Sequence, residues 1–391
     1  MSLHGEEVVI VAAARTPIGR GHPERGALRD VHPNELLGAA MTAAVERAGI
    51  APQAVDLAVA GCVNQVGEQM MNTARNAWLQ AGLPVETAAQ TLDAQCGSSQ
   101  QAVGAAASLI ASGAHDVVLA AGVEQMSRIP IDAGWQAAAA ADLGTPLPPA
   151  LLERYELAGQ GLAAEAVTDL WGLTRAELDA LALRSHRLAA RAADEGRFAR
   201  ELVPVATPDG VVDADQGIRR DTTAERLAQL PAAFRADGRI TAGNSSQISD
   251  GAAAVLLASR RQAERLGLTP RAIVVDHVIV GVDPVTMLTG PIPATRRLLE
   301  RNGLAVGDVD LFEVNEAFAP VVGGWLAEVG AELDRTNVNG GAMALGHPLG
   351  ASGARLVTTL VHELERADRE LGVVTMCCAG GLGTGTLIRR I

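Results

Sequence analysis

The chain has 391 residues, is 48% hydrophobic but only 2% aromatic, and carries a formal charge of −13. That length allows two or three domains or one duplicated body, and the scarcity of aromatics requires an aliphatic core. All 32 basic residues are arginine, which excludes lysine Schiff-base chemistry, and the acidic balance argues against nucleic acid as a partner.

Short apolar runs alternate with alanine-rich helical stretches, the pattern of an α/β protein. EVVIVAAART, from Glu7 to Thr16, reads as a buried first strand. Pro33 to Ala48 has helical periodicity, with Gly49 as its C-cap, and Val55 to Gly61 forms the next strand. The segment LDAQCGSSQQA, around Cys96, leads into a helix over Gln101–Ser112 and a strand over Asp116–Ala121. Composition then changes over residues 127–243, where a Pro- and Ala-rich stretch precedes an amphipathic helix from Arg175 to Glu195. This region reads as an inserted lid or binding domain. Strands return at Ala252–Ala258 and Ala272–Val282, and the His347 loop leads into a helix over Ala354–Arg366 and a strand over Gly372–Met376.

A weak repeat links the two ends. ERAGIAPQAVDLAVAGCVN from Glu46 resembles ERNGLAVGDVDLFEVNEAF from Glu300, at an offset of 254 residues. The same offset carries Cys96 to Gly350, three residues from His347, so both reactive residues fall at comparable loop-to-helix junctions.

Reactive side chains sit in glycine-rich surroundings. Gly340 to Gly353 reads GGAMALGHPLGASG, and Cys377 to Gly385 reads CCAGGLGTG. Gly341 and Gly346 have phosphate-loop spacing, but His347 and Pro348 replace the lysine and the hydroxyl residue such a loop needs. Cys96 before a helix N-terminus would be helped toward thiolate, against the plainer reading of a small buried hydrophobe. In VNEAFA, Asn315 or Glu316 is either a helix cap or a polar group presented at a strand end. Cys62 reads as structural, and the four cysteines contain no CxxC pair, so no metal site is expected.

Taken together and in order, CGSS, GNSSQISDGAAA, GPIPATRRLLERNG, NEAFA, GHPLGASG and CCAGGLG resemble the thiolase family over essentially the whole chain. The resemblance implies a layered α-β-α-β-α sandwich of two duplicated βαβαβαββ halves with an inserted loop domain. The halves would be residues 1–126 with 244–272, and 273–391, and the insert 127–243. It implies a CoA-dependent acyltransferase that cleaves 3-oxoacyl-CoA to acetyl-CoA and a shortened acyl-CoA, or runs the reverse Claisen condensation. Cys96 would carry the acyl group, Cys377 would move the α-carbon proton, and His347 would activate Cys96. Asn315 would hold a water in the oxyanion hole. Arg219 would stack on adenine, Ser246 would contact pantetheine, and Met287 and Phe318 would form apolar wall, with Arg220 free to serve a phosphate. CoA would be substrate, with no tightly bound cofactor, and the assembly a homodimer or homotetramer.

Three positions depart from the family pattern. Asp93 stands where asparagine is frequent, Gly159 replaces a histidine, and Ala379 occupies a place where glycine is usual and a positive φ would be strained. The Asp93 and GSSQQA variants look closer to degradative actinobacterial thiolases, including those of steroid side-chain breakdown. Two rivals share the fold: a decarboxylating ketoacyl synthase, which would not need Cys377, and a non-catalytic lipid-binding relative, which can lose the nucleophile or NEAF. No signal segment, peroxisomal address or run of about 18 apolar residues is evident, so a reducing, cytoplasmic setting without membrane contact is expected.

Overall fold

The computed structural model describes residues 5–391. Its principal strands are β1 (Val8–Arg15), β2 (Leu57–Gly61), β3 (Ala88–Leu92), β4 (Val117–Gln125), β5 (Ser249–Ser259), β6 (Ala272–Gly281), β7 (Leu311–Val314), β8 (Leu371–Cys378) and β9 (Leu382–Arg390). They run in the order β7-β8-β9-β6-β1-β5-β4-β2-β3 within one ten-stranded hydrogen-bonded sheet. A short antiparallel pairing of Val9 with Ile273 and Ile10 with Ala272 joins the two halves at the centre.

Read outward from that join, the halves match strand for strand. On one side β1 and β5 pair antiparallel, β5 and β4 antiparallel, then β4 with β2 and β2 with β3 parallel. On the other, β6 with β9 and β9 with β8 are antiparallel and β8 with β7 parallel. The fifth strand of the second half shrinks to one parallel bridge between Phe312 and Thr336. Equivalent carboxylates pin equivalent turns. Asp56 accepts from the N–H groups of Asp116 and Val117 at 2.8 and 2.9 Å. Asp310, 254 residues on, accepts from Glu370 and Leu371 at 3.0 and 2.9 Å.

Layering follows from strand alternation. Val9 and Val11 of β1 pack with Leu37 of α1 (Pro33–Ala48) and Trp78 of α2 (Thr73–Gln80). Val8 and Ile10 face the other way, into a core shared by α3 (Ser98–Ala111) and a later helix at Ser352–Arg366. Residues 127–243 contribute α4 (Ala133–Ala140), α5 (Gln160–Leu170) and α6 (Arg175–Asp194), the last opened by a Thr174–Glu177 capping box. The outer face of the second half is covered by α7 (Pro291–Asn302) and α8 (Ala319–Val329), where Trp325 packs edge-on to Phe312. The Ser352–Arg366 helix is α9.

The central helices α3 and α9 meet at their N-termini, and glycines make that approach possible. A Cβ on Gly353 would lie 2.2 Å from the Gln100 backbone nitrogen, and one on Gly122 would lie 2.2 Å from the Gly350 oxygen. Ala354 N–H donates to Ser99 Oγ at 2.9 Å across this contact. Gln100 then reaches the strands of the second half, donating to Val374 O on β8 and Thr386 Oγ1 on β9, both at 2.9 Å.

Candidate active site

Beyond β3 the chain turns sharply into α3. Gln95 is held at φ 53°, and its N–H donates to Asp93 Oδ1 at 2.6 Å. A carboxylate oxygen accepts there as an asparagine oxygen would, so Asp93 keeps the turn. Gly97 is the N-cap of α3, and a Cβ on it would lie 2.7 Å from both Cys378 Sγ and Thr384 Cγ2. Cys96 therefore stands ahead of the cap rather than within the first turn. Burial pushes its thiol up to about 11, against the opposing pull of the Ala379 N–H, the Gln160 side chain and its own backbone N–H. The expectation of a helix-assisted thiolate is thus corrected, because desolvation outweighs the donors and the thiol is protonated at neutral pH.

That protonated thiol needs a base, and His347 lines the same cavity. Gly346, at φ 114°, places the histidine, whose N–H donates to Gln247 O at 3.1 Å and Ser249 Oγ at 3.2 Å. Ser352 Oγ donates to Pro348 O at 2.8 Å and so accepts from His347 Nδ1, 2.6 Å away. This fixes the tautomer with the proton on Nδ1 and the lone pair on Nε2. Asn315 Nδ2 lies 3.3 Å from Nε2, while Asn315 Oδ1 is buried with no partner. Burial, then the Arg355 charge, lowers the imidazole to about 3, so the ring is held neutral.

Cys377 and Cys378 are adjacent on β8, and strand alternation sends them to opposite faces. Cys378 packs in the central core with Val374 and Met376, while Cys377 joins Met287, Phe318 and Ala379 beneath the cavity. Burial raises the Cys377 thiol well above its ordinary range, with Cys96 as the next cause. The β8–β9 turn places its positive φ at Gly380 and Gly381, at 77° and 79°. Ala379 carries no such strain, which removes the concern raised by its sequence position.

Glu316 does not cap the helix that follows it, since α8 begins at Ala319 behind Phe318. Its buried carboxylate accepts from Ser185 Oγ at 2.6 Å, Asn337 Nδ2 at 3.0 Å and Met343 N–H at 3.1 Å, tying α6 to two loops. Glu124, at the end of β4, likewise accepts from Val63, Asn64 and Gly350 N–H groups, locking the His347 loop to the first half. The chemistry assembled is a thiol, a neutral imidazole of fixed tautomer, a second thiol and the unpartnered oxygen of Asn315.

The family model "Thiolase, N-terminal domain" matches residues 8–261, and "Thiolase, C-terminal domain" matches residues 268–390. The chain belongs to the thiolase family. It is 44% identical to the steroid 3-ketoacyl-CoA thiolase FadA6 of Mycobacterium tuberculosis, over 98% of this chain and 94% of that protein. It is 42% identical to the 3-ketoacyl-CoA thiolase of Marinobacter nauticus over the whole of both chains. The crystal structure of the Bacillus anthracis acetyl-CoA acetyltransferase superposes with a TM-score of 0.89 at 38% identity, covering 100% of both chains.

Within this thiolase, the positions expected to bind substrate divide. Ser246 and Phe318 line the cavity that holds Cys96 and His347. Met287 is buried beside Cys377 and does not line it. Arg219 is exposed on a separate surface hollow with Arg187, Arg191 and Arg220, its N–H donating to His186 Nδ1 at 3.1 Å. Arg220 is already engaged by Asp194 at 2.8 Å. Sequence reasoning passed over Gln160 and Ser352. Ser352, five residues past His347 at the start of α9, could have been found as the ring's partner. Gln160 offered no signal beyond its place between two glycines. Among the described residues, no helix is long and apolar enough to cross a membrane, and no His/Cys/Asp/Glu group could hold a metal.

Proposed function

We propose that this thiolase cleaves 3-oxoacyl-CoA with coenzyme A, releasing acetyl-CoA and a shortened acyl-CoA, and that the same site runs the reverse condensation. The observation that carries the reading is the meeting of Cys96 and His347 on one cavity, with Ala379 in the same lining and Cys377 packed in the core beside Phe318 and Ala379. Relatives named 3-ketoacyl-CoA thiolase and acetyl-CoA acetyltransferase support the same chemistry.

His347 Nε2 takes the Cys96 proton as sulfur attacks the 3-oxo carbon. The bond between C2 and C3 breaks, its electron pair passes into the acetyl-CoA enolate, and Cys377 gives that carbon a proton. Coenzyme A then enters, loses its thiol proton to the Cys377 thiolate, and attacks the acyl-Cys96 carbonyl. Cys96 leaves as thiolate and recovers its proton from His347. Splitting the reaction this way needs a separate acid, because Cys96 is acylated while Cys377 works. Fixed donors near the thioester oxygens stabilise the enolate and tetrahedral charges, and the unpartnered Asn315 Oδ1 can anchor a water there.

Coenzyme A is read as a substrate and not as a resident cofactor, its pantetheine passing Ser246 and Phe318 and its adenosine end reaching Arg219. We assign catalysis to the halves formed by 1–126 with 244–272 and by 273–391, with 127–243 as the substrate-binding insert, and infer a cytoplasmic homodimer or homotetramer. The direct test is incubation with acetoacetyl-CoA and coenzyme A. Acetyl-CoA should form and a thioester on Cys96 should be trapped by acid quench and mass spectrometry. A thioester mapped to any other residue would refute the assignment. A ketoacyl synthase would instead act on a malonyl thioester and would survive loss of Cys377.

A further inference from the structure

The cavity over Cys96 extends far beyond what an acetoacetyl group occupies. Its volume is about 1220 Å³, above the roughly 300–1,000 Å³ usual for small-molecule sites. One wall is α4, from which Gly134, Trp135 and Ala138 line the space, joined by Ile131 just ahead of the Asp132 N-cap. Ala138 follows Gly134 by four residues and Trp135 by three, which puts the three on one helical face. No residue of α4 is buried, so nothing in the chain's own core covers that face. Trp135 and Ile131 are each 49% exposed, whereas Trp78 and Trp325 are fully buried. Phe234 and Ile248, 46% and 52% exposed, line the same space. Gly134 and Gly159 open onto empty volume, with no heavy atom within 4 Å of where a Cβ would stand.

An apolar helix face left uncovered marks a binding surface. Here it is continuous with the cavity that holds the nucleophile and its base, which points to the acyl group of the substrate as its occupant. In the proposed function the pantetheine passes Ser246 and Phe318, which leaves the α4 residues for the acyl portion.

We propose that the α4 face selects 3-oxoacyl-CoAs bearing a bulky apolar acyl group, long-chain or ring-bearing, over acetoacetyl-CoA, and that Gly134 keeps the room for it. This rests on the thiolase reading of the site. It deepens that reading by naming Ile131, Gly134, Trp135 and Ala138 as specificity-determining residues.

The test measures kcat/KM for acetoacetyl-CoA, 3-oxopalmitoyl-CoA and a polycyclic 3-oxoacyl-CoA, in the full chain and in Gly134→Leu and Trp135→Ala. The unaltered enzyme should favour at least one bulky substrate. In Gly134→Leu, the ratio of bulky to acetoacetyl kcat/KM should fall by at least about tenfold, since apolar pockets discriminate by roughly 10–200-fold per group. Thermal stability should hold, because leucine replaces glycine in an exposed helix. Trp135→Ala should lower the ratio in the same direction, and whichever of the palmitoyl and polycyclic arms falls further identifies the acyl shape. A preference for acetoacetyl-CoA in the unaltered enzyme, or ratios unmoved in both variants, overturns the proposal and leaves the thiolase reading intact. A change of oligomeric state in Gly134→Leu without a change of ratio also overturns it, assigning the face to a second subunit. No turnover of any of the three substrates overturns the thiolase reading and the proposal together.

Discussion

The two halves of the molecule share a plan and differ in what they place at the same spot. In the first, the turn before α3 holds Gln95 at φ 53° and presents Cys96. In the second, the turn before α9 holds Gly346 at φ 114° and presents His347, with Ser352 on α9 locking the ring. The scaffolding between them is conserved in geometry down to the Asp56 and Asp310 turns. The shared plan supplies a pair of facing helix N-termini, and differences in short loops put the proposed nucleophile before one and the proposed base before the other. A further asymmetry comes from β8, which the second half ends with Cys377 and Cys378, whereas the corresponding β4 ends in Glu124 and Gln125. In the proposed mechanism the second half would supply base and acid, and the first the covalent attachment point.

Separating those roles gives the largest expected effect. Cys96→Ala should abolish thiolysis, by roughly 10³-fold or more as for other covalent nucleophiles, and no acyl-enzyme should accumulate. Steady-state rates with a mass-spectrometric search for the thioester check it. If turnover persisted, the division of labour between halves would be wrong. Cys377→Ala should cost about 10²–10⁴-fold in kcat, the usual weight of a general acid–base group. Iodoacetamide should still label Cys96 in that variant, because the nucleophile and its base remain.

The thiol environment predicts a pH dependence of defined sign. A Cys96 thiol raised to about 11 by burial is protonated at neutral pH, and its thiolate fraction grows as pH rises toward that value. Alkylation of Cys96 by iodoacetamide in the unliganded enzyme should therefore climb about tenfold per pH unit between roughly pH 7 and 10. With His347 lowered to about 3, no inflection near the ordinary histidine range of about 6.5 should appear. A plateau reached by pH 7 would mean a preformed thiolate and a stronger helix effect than burial allows.

The symmetric turns offer a smaller test of the shared plan. Asp56→Ala and Asp310→Ala each remove a carboxylate that accepts two backbone N–H bonds. Each should cost about 1 kcal/mol, given the exposure of these turns, and the two losses should be similar in urea unfolding. A large inequality would show that the halves carry the same geometry with different energetics.

Much of this was legible beforehand, and the reasons are local. Gly49 and Gly303 stop their helices in the left-handed conformation, at φ 70° and 63°, so α1 was bounded from its cap alone. Alternating apolar runs located β1 and β6 within a residue or two. Cys96, Asn315, His347 and Cys377 stood out because reactive or polar types sat among glycines at strand and helix ends. The insert was opaque by contrast. IPIDAGWQAAAAADLG is too uniformly small to show a face, and the role of Ile131, Trp135 and Ala138 exists only once residues from both halves close a cavity around them. The depth of burial at Cys96 was equally hidden, since local sequence announces a helix N-terminus but not the desolvation that overrides it.

Ala379 gives the finest test of how the β8–β9 turn serves the first half. The alanine N–H reaches Cys96, and the left-handed conformations fall on Gly380 and Gly381 instead. Were Ala379 strained, replacing it with glycine would relieve the strain and raise both stability and rate. With a negative φ already in place, Ala379→Gly should only loosen the unfolded chain, lowering stability by about 0.4–1 kcal/mol. The N–H donor survives the substitution, so kcat with acetoacetyl-CoA should stay within about twofold, a change of a few tenths of a kcal/mol. Thermal unfolding together with steady-state rates decides it. A stabilised, faster variant would mean that this turn reaches the nucleophile only by bending its own backbone out of shape.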